Sequence, residues 1–312
     1  MDDISFSFIM PVYKSIFLKD AIESILNQSY KNFEIVIVND ASPYNIYDIV
    51  CTFHDSRIVY KENNHNIGGK DLVANWNHCI RNATNDYIIL ASDDDTYESS
   101  FLEGAVSLIK KYPNINILRS GVKLINESGI ITDYEFPLKE LLSCKEFTYF
   151  WAKGGLHSCV SNYIFRKESL FDNKGFVNFP KAHYSDDATA LTISRNGIIC
   201  IPNPNFNFRI SSISLSYSSN YNNTISQIKA TNDFMTWYKN HLNIIYYHDS
   251  VNIFKNASQV LYKKRYISML EILISKIPIL KVLTTIRLIM NCEHLYKKEK
   301  IKLFANYILN KL

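Results

Sequence analysis

The sequence predicts an α/β protein, a Rossmann-like mixed sheet flanked by helices, with a mainly helical C-terminal extension. Three observations predict it. Strand-like and helix-like segments alternate four times within about 110 residues. The strand segments are near-continuous apolar runs, the pattern of parallel strands covered on both faces. After residue 114 the rhythm changes, and from about 221 onward amphipathic helix dominates.

The first strand is read over 5–13, SFSFIMPVY. A helix follows from an N-cap at Ser15, with Leu18, Ile22, Ile25 and Leu26 on one face. FEIVIVND (33–40) is a second buried strand and ends on Asp40. NIYDIVCTFH reads as a helix, RIVYKEN as a short strand and DLVANWNHCIRNA as a helix. DYIILAS (86–92) is the fourth strand, and SSFLEGAVSLIKKY is a helix stopped by Pro113. INILRSGVKLINESGIITDY then gives strands around an Asn-Glu-Ser-Gly turn, and CVSNYIFRKESL a strand leading into a helix. SDDATALTISRNG is a helix with an acidic start, stopped by Gly197, and IICIPNPNFNFRI one or two strands. SYSSNYNNT (216–224) reads as a loop. The expected organisation is a body over 1–220, in halves 1–115 and 116–220, and an extension over 221–312. Trp76 and Trp237 are expected to pack between helices.

Of the 312 residues, 47% are hydrophobic and 21% charged, a balance that excludes a disordered chain. The six cysteines form no CxxC pair, which argues against a zinc site or a disulfide framework and for reduced thiols in a cytoplasmic setting. The start MDDISFSFIMPVY lacks the basic segment of a secretory signal, and no apolar run reaches the roughly 18 residues of a spanning helix. The net charge of +4 conceals an asymmetry: residues 251–312 carry 12 Lys/Arg against 3 Asp/Glu, while the rest carries 22 against 27. A basic tail on an acidic body fits an anionic surface, and no nucleic-acid partner is expected.

The candidate chemistry lies at strand ends, where ligands bind in open α/β sheets. Asp40 follows the second strand, and Asp93, Asp94 and Asp95 follow the fourth. One aspartate there is explained as a helix N-cap; three consecutive carboxylates repel each other. A hard divalent cation, Mg²⁺ or Mn²⁺, completed by phosphate oxygens of a substrate, explains them.

FIMPVYKSIFLKDAIESILNQSYKNFEIVIVNDAS and KENNHNIGGKDLVANWNHCIRNATNDYIILASDDD resemble, in order and spacing, the opening of the inverting family 2 glycosyltransferases of the GT-A fold. The resemblance covers about the first 115 residues. It implies that Pro11 and Tyr13 lie at the nucleotide pocket, that Asp40 contacts the base, and that Asn66, Gly68 and Lys70 approach the nucleotide. It implies Asp93 toward the ribose and Asp94 on the metal, or Asp95 if the second carboxylate of the family's motif falls one residue later. Aligning Ser99 with the proline that commonly follows the motif favours Asp94; Ala91 replaces the first acid many members carry. In HYSDDATALTISRNG, Asp186 and Asp187 match the family's acidic pair and Arg195 its arginine, which makes Asp187 the general base that takes the acceptor's proton. FRISSISLS (208–216) is similar to the loop that supplies Arg209 to the phosphates, although the family's frequent histidine is Ser211 here. Trp151, His157 and Asp186 are weaker candidates for the acceptor side.

The function this implies is metal-dependent transfer of a sugar, with inversion, from a nucleotide-diphospho-sugar to an acceptor hydroxyl in cell-surface polysaccharide or glycan assembly. The body is then the catalytic domain, 1–115 its nucleotide-sugar half and 116–220 its acceptor half. The acceptor would be a glycan or lipid-linked, and the basic tail would place the protein peripherally on the inner face of the membrane. The alternatives are a non-catalytic nucleotide-sugar-binding protein and a nucleotidyltransferase. The latter usually has a glycine-rich phosphate loop with a lysine after the first strand, and PVYKSIF has no glycine.

Overall fold

A computed structural model describes residues 4–212, 220–247 and 253–311. Their contacts divide the chain into two units. The first holds the residues up to Phe147 together with Leu156–Asn178 and Ser185–Ser212; the second holds Thr148–Gly155, Phe179–Tyr184 and the chain after Ser212.

The first unit is built on a mixed sheet with strands β1 (Phe6–Val12), β2 (Phe33–Asn39), β3 (Ile58–Glu62), β4 (Tyr87–Leu90), β5 (Thr96–Tyr97), β6 (Ile117–Ile125), β7 (Ile131–Tyr134), β8 (Leu141–Leu142), β9 (Tyr163–Arg166) and β10 (Ile198–Arg209). The order is β3-β2-β1-β4-β9-β6-β10-β5, with β7 beside β6 and β8 beside β10. β1, β2, β3 and β4 are mutually parallel, as the apolar runs predict. β9 enters between β4 and β6, antiparallel to both. β10 runs parallel to β6 along its length, with one irregularity between Ile201 and Phe206.

Helices α1 (Leu18–Leu26), α2 (Ile46–Cys51), α3 (Leu72–Cys79) and α4 (Phe101–Lys111) follow the first strands. Ser15 is not the cap of α1, which begins after Phe17; the Ser15 carbonyl instead accepts from Leu18 N–H. α1 turns Leu18, Ala21, Ile22 and Ile25 to the sheet. There they join Phe8, Ile35, Ile37, Phe101 and Phe206 in one core. Gln28, fully buried, accepts from Leu102 N–H at the start of α4 and donates to the Glu98 carbonyl, so the glutamine of the QSY segment is a cap for another helix. α5 (Cys144–Lys153) crosses the unit division, and α6 (Lys167–Asp172) and α7 (Ser185–Ile193) belong to the first unit. Gly197, at φ 106°, ends the turn after α7 as expected. Trp76 packs edge-on against Phe176.

The second unit holds α8 (Tyr221–Ile245), α9 (Ile253–Ser275), α10 (Val282–Met290) and α11 (Lys297–Leu309). The stretch read as a loop over 216–224 is helical from Tyr221, capped by the Asn220 side chain; residues 216–219 lie outside the described residues. Trp151, Phe234, Tyr238 and Tyr262 form its aromatic centre. Trp237 stacks on His241. Among the described residues, no helix is long and apolar enough to cross a membrane.

Candidate active site

The parallel register sets Val12 beside Asn39 and Ile9 beside Leu90, so the chain leaves β1, β2 and β4 along one edge. The Ile9 carbonyl accepts from Ala91 N–H, and the β4 ladder ends there. Pro11 points to that same side two residues later, where no ladder bond is required of it. Tyr13, 44% exposed, opens the loop beyond.

Asp40 is 3% exposed and fully engaged. Its Oδ1 accepts from Ile67 N–H at 2.9 Å and from the Asn63 amide at 2.8 Å, and its Oδ2 from Gly68 N–H at 2.8 Å. A Cβ on Gly68 would stand 2.9 Å from that Oδ2, so only glycine lets the loop come this close. The Asn66 side chain accepts from Gly69 N–H and caps its own turn. Asp40 and Asn66 therefore shape the loop that carries exposed Lys70, rather than reaching outward themselves.

The three aspartates separate. Half-buried Asp93 accepts at Oδ2 from the N–H groups of Tyr13 (3.2 Å) and Lys14 (2.9 Å), tying the loop after β1 to the end of β4. Burial and then the charge of Asp94 raise its carboxyl to about 6, against the pull of those two amides. Half-buried Asp94 is bonded by the Ser92 hydroxyl. Asp95 is 2% exposed and accepts from Arg209 N–H at 2.9 Å; burial and the Asp94 charge push its carboxyl well above the usual range. Asp95 is thus turned inward, unlike half-buried Asp94, and bonded within the protein.

Arg209 is likewise bonded within the protein. Its Nε donates to the Asp94 carbonyl (2.8 Å), its Nη1 to the Glu127 carbonyl (2.9 Å) and its Nη2 to Asp20 (3.3 Å), and the guanidinium lies 4.4 Å from the Phe17 ring centre. At 3% exposure it is a bracket joining three segments, and its fork is not turned out toward a phosphate. Ser211 is buried, and residues 213–216 of that loop lie outside the described residues.

Asp186 and Asp187 occupy the first turn of α7, Asp187 being 7% exposed. Burial, then the charges of Asp95 and Asp186, raise the Cys159 thiol, and Asp187 and Asp186 both act on buried Tyr163. Cys159 thus lies within electrostatic reach of Asp95 and Asp186, and Tyr163 within reach of Asp187 and Asp186. Tyr97 OH donates to the Ser161 carbonyl, and Asn162 donates to the Ser120 carbonyl. Arg119, 1% exposed, donates to both carboxylate oxygens of Glu135, at 3.0 and 2.8 Å, and to the His157 carbonyl at 3.3 Å. His157 itself is exposed. Trp151 is 1% exposed in the second unit, with Arg265 4.6 Å from its ring centre, so it packs and offers no face to a sugar.

The Arg119–Glu135 pair is the feature that sequence reasoning missed. Its signal was an arginine inside an otherwise apolar strand, ILRSGV, which requires a buried partner.

The sequence profile of Glycosyl transferase family 2 matches residues 7–173, more than half of the chain. The chain belongs to this family. Among curated relatives of this chain, it is 34% identical over 116 residues to the putative glycosyltransferase EpsE of Bacillus subtilis, covering 36% of this chain and 41% of that one. It is 30% identical over 140 residues to a UDP-Glc:alpha-D-GlcNAc-diphosphoundecaprenol beta-1,3-glucosyltransferase, WfgD, of Escherichia coli, covering 45% and 54%. The matches thus span about half the length of these relatives. The GT-A fold is shared with S. aureus TarS 1–349 in complex with UDP-GlcNAc, at a TM-score of 0.65 and 15% identity over 99% of this chain and 90% of that one. A mannosyltransferase of Pyrobaculum calidifontis in complex with GDP-Man and Mn²⁺ aligns at 0.52, with 16% identity over 98% and 85%. Asp186, Asp187 and Arg209 lie beyond the residues matched to the family.

Proposed function

We propose that the protein transfers a sugar, with inversion and with the help of a divalent cation, from a nucleotide-diphospho-sugar to an acceptor hydroxyl in glycan or polysaccharide assembly. The observation that supports this reading is the acidic end of β4 on the β1–β2–β4 edge, where Asp93 holds the loop after β1 and Asp94 stands beside it. WfgD, named for a UDP-Glc donor and a diphosphoundecaprenol-linked acceptor, supports the substrate classes.

The donor's nucleotide lies along the β1–β2–β4 edge, between the Tyr13 loop and the loop anchored by Asp40, with Asp93 at the ribose and Lys70 near the phosphates. Asp94, beside Asp93, would hold Mg²⁺ or Mn²⁺. Among the described residues no three acids, histidines or cysteines form a closed metal site. Asp94 would then be one of the one or two carboxylates that hold such an ion, with water and phosphate completing its shell, and the ion's charge would offset the repulsion between Asp93 and Asp94. Such an ion supplies positive charge to the leaving diphosphate.

Asp187 takes the proton of the acceptor hydroxyl as its oxygen attacks the anomeric carbon. The bond from that carbon to the phosphate oxygen breaks, the nucleoside diphosphate leaves with the electron pair, and attack from the opposite face inverts the centre. The positive surplus of residues 251–312 supports an acceptor presented at an anionic membrane surface.

The test is Asp187→Asn. The variant should keep the rise in melting temperature given by a nucleotide-sugar with Mn²⁺ and lose roughly 10²–10⁴ in transfer rate. Transfer at the wild-type rate would place the base elsewhere.

A further inference from the structure

In the second unit, α10 is apolar on two faces. Its inward face buries Thr285 and Ile289. Its outward face carries Leu283, Ile286, Arg287 and Met290 at the i, i+3, i+4, i+7 spacing of one helical stripe. Leu283 is 75% exposed, Met290 60% and Ile286 37%, and the preceding turn adds Ile279 at 44% and Leu280 at 92%. A surface helix of a globular domain turns polar residues outward, so an outward apolar stripe marks an interaction surface.

The charges on the stripe and in the turn before it are positive, while Glu293 and Glu299 follow the helix. No acid occurs between Glu271 and Glu293, whereas Lys276, Lys281 and Arg287 do. Lys300 donates to the Met290 carbonyl at 2.6 Å, which sets another ammonium at the C-terminal end of the helix. Exposed Lys297 and Lys298 begin α11.

We infer that the outward face of α10 and the turn before it dock on an anionic lipid bilayer. The helix lies in the headgroup plane, with Leu280, Leu283 and Met290 in the acyl boundary and Lys281 and Arg287 at the lipid phosphates. At 9 residues α10 is too short to span. A second copy of the chain fits the face poorly, because a two-fold contact would bring Lys281 and Arg287 of the two copies together, with no acid in α10 or the turn before it. Lipid phosphate supplies the missing negative charge. The inference deepens the membrane-surface acceptor of the proposed function and rests on that reading for its purpose; lipid binding itself requires no donor and no turnover.

The experiment is flotation of the full chain with phosphatidylcholine vesicles, with and without phosphatidylglycerol. The protein should float with the anionic vesicles only. L280E/L283E should lower the bound fraction at least about tenfold, the loss expected for two leucines kept in water. K281Q/R287Q should weaken binding about fivefold per charge. Both variants should melt as the wild type does, since the altered side chains are exposed. Absence of flotation, equal flotation of L280E/L283E, equal binding to neutral vesicles, or a lipid-free dimer that this variant turns into monomer each overturns the inference. Donor-induced thermal shifts measured on the same samples separate the two readings: flotation without any donor response would sink the proposed transferase and leave the membrane face standing.

Discussion

Along the edge formed by β1, β2 and β4, carboxylates are answered by backbone amides: Asp40 by Ile67 and Gly68, Asp93 by Tyr13 and Lys14. At β6 a buried charge is answered by a side chain: Glu135 by the guanidinium of Arg119. Amides in a loop are supplied by whichever residues stand there, provided the backbone can come close. A side-chain partner must be one residue type at one distant position. The first region therefore tolerates sequence change except at its glycines and at Asn63, whose side-chain amide also holds Asp40, and the second is exposed to single substitutions in its charged partners.

The largest effect should come from breaking the second arrangement. Arg119→Met leaves Glu135 buried with little beyond the Val122 amide to answer it, and should cost about 3–5 kcal/mol of unfolding free energy in urea titrations. R119M/E135Q, which keeps an acceptor for that amide without a buried charge, should recover most of the loss. Wild-type stability in R119M alone would erase the contrast between the regions.

Next in size is the division of the aspartates. Asp94→Asn should lower kcat/KM at saturating Mn²⁺ by about a hundredfold, near 2.7 kcal/mol. Asp95→Asn, which preserves the acceptor for Arg209 N–H, should stay within about fivefold. Equal losses in both would return Asp95 to the metal and dissolve the distinction drawn from its burial. EDTA should abolish wild-type transfer and Mn²⁺ restore it.

The smallest effect sharpens the amide-lined region. Gly68→Ala pushes a methyl against Asp40 Oδ2 and should cost about 1–3 kcal/mol of stability, as overpacking does. The donor KM should rise while kcat is nearly kept. An unchanged KM would mean that the Asp40 anchor does not shape the nucleotide pocket.

The two regions were also unequally legible in the sequence. Strands β1, β2 and β4 declare themselves by apolar runs, the last two followed by aspartates, and the start of α7 by SDDA, because those signals are local. The entry of β9 between β4 and β6 is set by which distant strands can pair, and no periodicity encodes that. Arg119 and Glu135 stand 16 residues apart, and neither predicts the other. Arg209 and Trp151 looked like ligand contacts because their types suit phosphates and sugars. Type reveals nothing about whether the fold has already used the donors or covered the ring. Ser15 fits a cap by propensity, yet the chain continues two residues before α1 begins.

The amides that hold Asp40 and Asp93 carry one more consequence. A side chain pinned by two or three hydrogen bonds has few rotamers left to lose when a nucleotide arrives, and the loops it pins have little left to order. Preorganisation of this kind appears in the thermodynamics of association as a small entropic penalty. In the proposed transferase it would leave the contacts made with the donor free to act on the reacting bond instead of on assembling the pocket.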